Sequence, residues 1–286
     1  MTVAHPPASF PPRIRFSAED RLWLSAGLYA ALAVSVGLPL ALMLLWSVSD
    51  GWFPPSLLPE AYTAAHWIEL LGDATLGEAI LRSLVIAGTV SLLSALLATP
   101  TAWAMARFPL RCKRAIEIFI LAPLIVPGLV IASCLGQLFF RIGLGHTIIG
   151  VILAQLVGAL PLMIRVLTAS FEAIPEDLML AARSLGASPF AAMREVALPL
   201  AVPGLLSGGL LSFVASFEEF DRTFIVGAPV VETLPTKLFF YLDGAGASFP
   251  IAAVVCMILL APVLVIFVAA GRIMREDVLS AGMGKV

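Results

Sequence analysis

Apolar runs recur along this chain at lengths that a soluble core does not need. From Leu22 to Val48 no charged residue interrupts the run, and about 20 apolar residues in a helix suffice to cross the hydrocarbon core of a bilayer. Further runs cover about 80–103, 115–140, 147–169, 200–220 and 250–270. Six such runs predict an all-α integral membrane protein with six transmembrane helices in one domain over 21–275. A Pro-rich polar tail over 1–20 and a short tail over 276–286 flank it. A cleaved signal peptide competes for the first run, because Arg13, Arg15 and Arg21 precede it. The run is much longer than a signal h-region of about 7–15 residues, so a retained span is expected.

Composition agrees with the pattern. Apolar residues make up 60% of the 286 and charged ones 13%, against roughly 25% charged in soluble domains. Mean hydropathy is +1.02. No basic stripe points to nucleic acid. Cys112, Cys134 and Cys256 are too scattered for a disulfide framework, and His5, His66 and His146 are too far apart for a metal site. The chain has no phosphate-cradling glycine loop followed by lysine, no nucleophile elbow and no H-E-x-x-H. It is therefore expected to be non-catalytic, with neither cofactor nor metal. Its 17 Lys and Arg divide unequally between the two sides of the six spans. Thirteen, including Arg107, Arg111, Lys113, Arg114, Arg183 and Arg194, fall on the side of the termini and the 171–200 loop. The positive-inside rule puts that side in the cytoplasm.

That loop, 171–199 with its flank, has the grammar of two short helices. Pro175 suits the first helical position, with Glu176 and Asp177 in the first turn and Arg183 in the last, as the helix dipole favours. Leu178, Ala181, Ala182 and Leu185 follow at i, i+3, i+4 and i+7, one narrow apolar face. Gly186 falls where a left-handed residue ends a helix. Ser188 and Pro189 restart a second as N-cap and N1, and Pro199 is expected to stop it. A loop that only links two spans is the plainer alternative. Two capped helices are more than a linker needs, and their shape suits another protein's grip.

The run Ala181-Ala182-x-x-x-Gly186, then nine residues, then Val196-x-Leu198-Pro199 resembles the EAA loop of ABC-importer permeases. The family pattern opens with Glu where this chain has Leu180, and has Ile where this chain has Val196. The phrase 216–235, SFEEFDRTFIVGAPVVETLP, looks like the polyamine (spermidine/putrescine) branch. The resemblance implies a type I permease fold with a cytoplasmic coupling-helix loop, in a bacterial inner membrane. It implies that Leu180, Ala181, Ala182, Leu185, Gly186, Val196, Leu198 and Pro199 meet an ATPase subunit. It implies as partners a second permease subunit or copy of this one, two ABC ATPase subunits and an external solute-binding protein. The activity implied is import of polyamines or a related small solute. Amino-acid conjugates, phosphonates and ferric ions are alternatives within the family.

Glu218, Glu219 and Asp221 end the fifth run. On a helical projection Leu205, Gly208, Ser212, Ser216 and Glu219 share about one quadrant. A small, polar stripe that ends in a carboxylate suits a path for a cationic solute, with Glu219 first among its residues and Glu218, Ser216, Ser212 and Asp221 beside it. Close helix packing and an acidic pair satisfied by Arg222 are the competing reading. Gln137 and Gln155, deep in the third and fourth runs, are expected to make interhelical hydrogen bonds. A partner-independent carrier or channel is the rival of another class. It would call for charged pairs deep in several spans, a pattern not evident here.

Overall fold

In hydrocarbon each peptide N–H and C=O must be satisfied within the chain, so apolar runs of this length fold as helices. The computed structural model describes residues 18–52, 55–243 and 248–283; the expected tails lie mostly outside these. Two units divide the chain, 1–45 and 46–286. The first contains nearly all of α1, Ala18–Ser47, with Pro39 inside it. Its side chains over 25–42 are exposed on every side, as befits a helix that is apolar all round.

The second unit opens with a minimal antiparallel pair, β1 Ser49–Asp50 and β2 Ala61–Tyr62, in which Ser49 faces Tyr62. The short helix α2, Ala65–Gly72, leads into α3, Ala74–Arg107. Helices α4, Lys113–Ile125, and α5, Gly128–Arg141, follow, then α6, Ile148–Glu172. Next come α7, Glu176–Ser184, and a rod made of α8, Pro189–Ala192, a π-helical turn Met193–Ala197 and α9, Leu198–Leu200. The chain ends with α10, Val202–Phe217, α11, Asp221–Gly227, α12, Leu234–Leu242, and α13, Phe249–Met283. Among the described residues four helices are long and apolar enough to cross a membrane, or six if each of two bent pairs counts as one span.

The bend of the third run falls at the second of its two prolines, Pro127, where proline is expected to kink a helix. The third run becomes α4 and α5, which meet at 95°. Pro123 stays inside α4, and the break falls at Val126 and Pro127. Val126 has φ −76° and ψ 134°, the extended geometry that a following proline imposes. Pro199 does not stop its helix. The rod continues through it to Leu200, and the 71° bend comes at Ala201, ahead of α10. The π-helical turn lies just upstream of Pro199; a local widening of the ladder is one way to accommodate a ring that would otherwise strike the carbonyl four residues back. The last helix runs on to Met283, well beyond residue 270.

Helices α3, α6 and α10 form the central packing of this unit. Ala87, Val90, Ser94, Ala98 and Ala102 of α3 are buried, as are Ala154, Ala159, Met163 and Leu167 of α6 and Gly208 and Ser212 of α10. Small side chains let the helix axes approach closely, which is how membrane helices gain van der Waals contact. Ser91 Oγ ties α3 to α10 by donating to the Gly209 carbonyl at 2.8 Å.

Helix ends are tied down by side chains from other elements. Asp73 caps α3, accepting from the Thr75 amide at 2.8 Å and the Thr75 hydroxyl at 2.7 Å. Lys237 of α12 lies 3.2 Å from the same carboxylate and also donates to the Thr75 hydroxyl. The bonds from Thr75 hold the Asp73 carboxyl below its usual range, against a smaller opposing effect of desolvation. Because the folded-state value is lowered, this cap contributes fully above the ordinary carboxylate range and is lost only as pH falls through the lowered value. At the other end of α3, Arg107 Nη2 donates to the carbonyls of Phe171 and Ile174, both at 2.7 Å. Its guanidinium lies 5.7 Å from the Trp103 ring centroid, and Trp103 meets Phe171 edge to face at 5.5 Å.

Arg107→Ala removes two charge-assisted donors from the end of α6, at about 1.5–3 kcal/mol each as a ceiling. Hydrogen exchange of the 171–176 amides is expected to accelerate well beyond that of mid-α6 amides. Unchanged protection there would show that these bonds hold nothing.

Candidate functional site

The 173–201 segment is built from its caps. Pro175 sits at the N-cap position with ψ 135°, so Glu176 and not Pro175 begins α7. Gly186 has φ +88°. Its amide bonds to the Arg183 carbonyl at 3.0 Å, and the Ala187 amide bonds to Ala182 at 3.1 Å. Together these make a complete Schellman closure. Ser188 Oγ then accepts from the Ala191 amide at 3.2 Å and starts the rod. The turn between the two helices is thus set by hydrogen bonds over six residues.

The apolar face is rotated from the one that periodicity alone picks out. Met179 is buried, and Ala182, Val196 and Ala187 pack with it against Ile174, Phe171, Ala192 and Ala197. Leu178, Leu180, Ala181 and Leu185 point outward, and Phe190 joins them. Leu185 is 89% and Phe190 65% exposed. The spacing i, i+3, i+4, i+7 missed Met179 because the short helix has apolar residues on two sides, and only Arg107 and the end of α6 decide which side turns in. Of the predicted docking residues, Leu180, Ala181, Leu185, Gly186 and Pro199 are exposed, while Ala182, Val196 and Leu198 are half-buried.

The stripe on α10 meets α6 within this chain. Ser212 Oγ lies 3.5 Å from the Ala159 carbonyl, Ser216 Oγ donates to Gln155 Oε1, and Gln155 Nε2 donates to Thr223 Oγ1 at 2.7 Å. Ser212 and Ser216 are buried. Glu219 forms an ion pair with Arg222 and also accepts from the Arg222 amide at 3.0 Å. Arg222 is 8% exposed and lies across Gly158 of α6, where a Cβ would come within 3.0 Å of the guanidinium. Its Nε has no hydrogen-bond partner. These contacts are those of the packing alternative for Ser212 and Ser216, and of an acid held by Arg222 for Glu219. Glu218 is exposed. Asp221 is half-buried with Oδ2 beside Gly128, at the start of α5, where the helix dipole favours an anion. Gln137 is exposed on α5, so only Gln155 makes an interhelical bond among the two glutamines. Sequence reasoning counted Arg107 only as a charge, whereas it named Arg222 as a partner for the acidic pair. Nothing in the local spacing of Arg107 marks it, since its partners Phe171 and Ile174 are 64 and 67 residues away, while Arg222 stands three residues from Glu219.

Bent helices that pack through small residues, and an elbow that turns apolar side chains outward, describe a subunit of a membrane transporter. Residues 96–273 match the family described as binding-protein-dependent transport system inner membrane component, and the chain belongs to that family. It is 33% identical over 193 residues to a protein of Haloferax volcanii described as a probable molybdenum ABC transporter permease, covering 64% of this chain and 71% of that one. It is 25% identical over 253 residues to the spermidine/putrescine transport system permease protein PotC of Escherichia coli, covering 88% and 94%. Among solved structures it is similar in fold to a bacterial ABC transporter involved in import of the acidic polysaccharide alginate. The TM-score there is 0.68 at 17% identity, over 90% of this chain and 98% of that one. The MetNI methionine ABC transporter gives 0.57 at 21% identity, over 70% and 95%. The chain is a membrane permease component of an ABC importer, with the type I permease fold.

Glu219→Ala leaves the Arg222 guanidinium buried and unpaired, a loss of about 3–5 kcal/mol for a buried pair. Thermal unfolding in detergent is expected to show that loss, and Glu219→Ala combined with Arg222→Ala is expected to recover part of it. Strictly additive losses would mean that the two side chains do not act as a pair.

Proposed function

We propose that this permease subunit takes the 175–200 elbow into a groove of a partner ABC ATPase and moves a small cationic solute inward, with polyamines first among the candidates. The observation that carries the docking role is the elbow itself. Gly186, the Ser188 cap and Arg107 hold its frame, and Leu178, Leu185 and Phe190 are left facing away from the chain. A rigid frame transmits displacement, and exposed apolar side chains favour burial in a partner. Leu180 adds apolar contact where the family has Glu. The loop side is read as cytoplasmic on the Lys and Arg distribution.

The assembly in this reading is two permease subunits, two ATPases and an external solute-binding protein; the alginate transporter has also been solved with a periplasmic protein bound to alginate pentasaccharide. Closure of the ATPases pulls the elbow, and through Arg107 the displacement passes to both α3 and α6, so that the spans alternate between two states. No bond of the solute changes. Support for polyamines comes from the extent of the PotC similarity and from the exposed Glu218, which suits a cation. Of the five path candidates, Glu218 is now first. Glu219 and Asp221 support it, and Ser212 and Ser216 hold the helices that carry it. The second reading within the family is an oxyanion or sugar-derivative solute, favoured by the molybdenum relative and by a sulfoquinovosyl glycerol permease of Agrobacterium fabrum, 27% identical over 228 residues.

Gly186→Val forces a β-branched residue to φ +88°. In liposomes with the ATPases and a binding protein, solute-stimulated hydrolysis is expected to fall at least tenfold while the protein still inserts; full stimulation would remove the coupling role. Glu218→Gln is expected to slow putrescine uptake about tenfold and leave a neutral solute unaffected. Undiminished uptake by the permease alone, without ATPase, would favour the carrier reading instead.

A further inference from the structure

The end of the helices opposite the elbow has a second recess, unconnected with the acidic stripe. Arg107 places the C-terminal end of α3 at the elbow, so Asp73 and its partner Lys237 mark the far end. There Trp46, Ser49, Asp50, Gly51, Trp52, His66 and the start of α13 line a cavity of about 260 Å³. Trp46 and Trp52 stack with centroids 4.4 Å apart, and Phe249 meets Trp46 at 5.7 Å. Three aromatic rings therefore wall one recess.

Several donors of its lining are committed within the chain. The Trp52 indole N–H is committed to the Ser56 carbonyl at 3.1 Å. The Ser49 hydroxyl donates to the Trp46 carbonyl at 2.8 Å. His66 Nε2 lies 3.1 Å from the Ser49 carbonyl, so the proton of that tautomer is on Nε2 and Nδ1 is left to accept. The Asp50 side chain is exposed at the rim, and the Glu60 carboxylate lies 3.0 Å from where a Gly51 Cβ would be. The lining includes no Lys or Arg, and none occurs from residue 49 to 78. Aromatic faces attract a cation through the ring quadrupole, and a carboxylate and carbonyls beside them favour a cation that donates hydrogen bonds. Tryptophans at a membrane interface also serve as anchors, but anchoring does not call for a carboxylate at the mouth.

The geometry points to a binding site for an organic ammonium group, separate from the path past Glu218. That chemistry has two sources at a membrane surface, a dissolved amine or the amino headgroup of a lipid. The full chain purified in detergent is titrated with n-butylammonium chloride against sodium chloride at matched ionic strength, and tryptophan emission is followed. A saturable change with butylammonium only is expected. Trp52→Leu and Asp50→Asn are each expected to weaken it about tenfold, and Asp50→Asn keeps every ring should the other variant fail to fold. No saturation, equal response to sodium, or an Asp50→Asn curve that matches the parent would overturn the site. Repeating the titration in phosphatidylethanolamine and phosphatidylglycerol nanodiscs identifies the source. A tenfold weaker response in phosphatidylethanolamine assigns the site to the headgroup, and equal responses assign it to a dissolved amine. None of these readouts involves transport, so failure here leaves the permease reading as it stands.

Discussion

Satisfying peptide groups at helix ends is the constraint on which this structure rests. Inside a long membrane helix the ladder does this unaided, but each helix end leaves donors or acceptors that need other partners. At several helix ends the device can be named. Asp73 and Thr147 accept from amides at the starts of α3 and α6. Gly186 closes α7 on its own carbonyls. Arg107 reaches from α3 to the carbonyls at the end of α6. The last device reaches furthest, because one guanidinium joins two central helices to the root of the elbow. A displacement of the elbow therefore cannot be confined to the loop.

Buried charge is treated in the same economical way. Arg222 and Glu219 neutralise each other three residues apart, and Gly158 leaves room for the guanidinium against α6. Lys237 meets Asp73 and Thr75. Truncating Glu219 leaves the buried Arg222 to bear a desolvation cost alone, whereas an intact buried pair adds little net stability. Both pairs involve the 218–243 segment, the part of the chain whose helices are too short to span a bilayer. Electrostatics there supplies the location that helix length supplies elsewhere.

The two ends of the molecule present different chemistry to their surroundings. The elbow shows apolar side chains on a capped frame, suited to burial by a protein. The far end shows aromatic rings with carboxylates beside them, suited to a small cation. Neither surface is explained by the central packing of α3, α6 and α10, which would be complete without them.

Much of this was legible in the sequence. The membrane class, the apolar runs and the position of the elbow follow from hydropathy, because burial in hydrocarbon is a property of each segment taken separately. The left-handed Gly186 and the Ser188 cap were readable for the same reason, since a cap is settled within about six residues. What lay beyond the sequence depended on distant partners. Which side of α7 turns inward depended on α6 and Arg107, and which neighbours Ser216 and Glu219 meet depended on Gln155 and Arg222. A helical projection gives the angle of a side chain about its own axis. Only the packed structure says what stands at that angle.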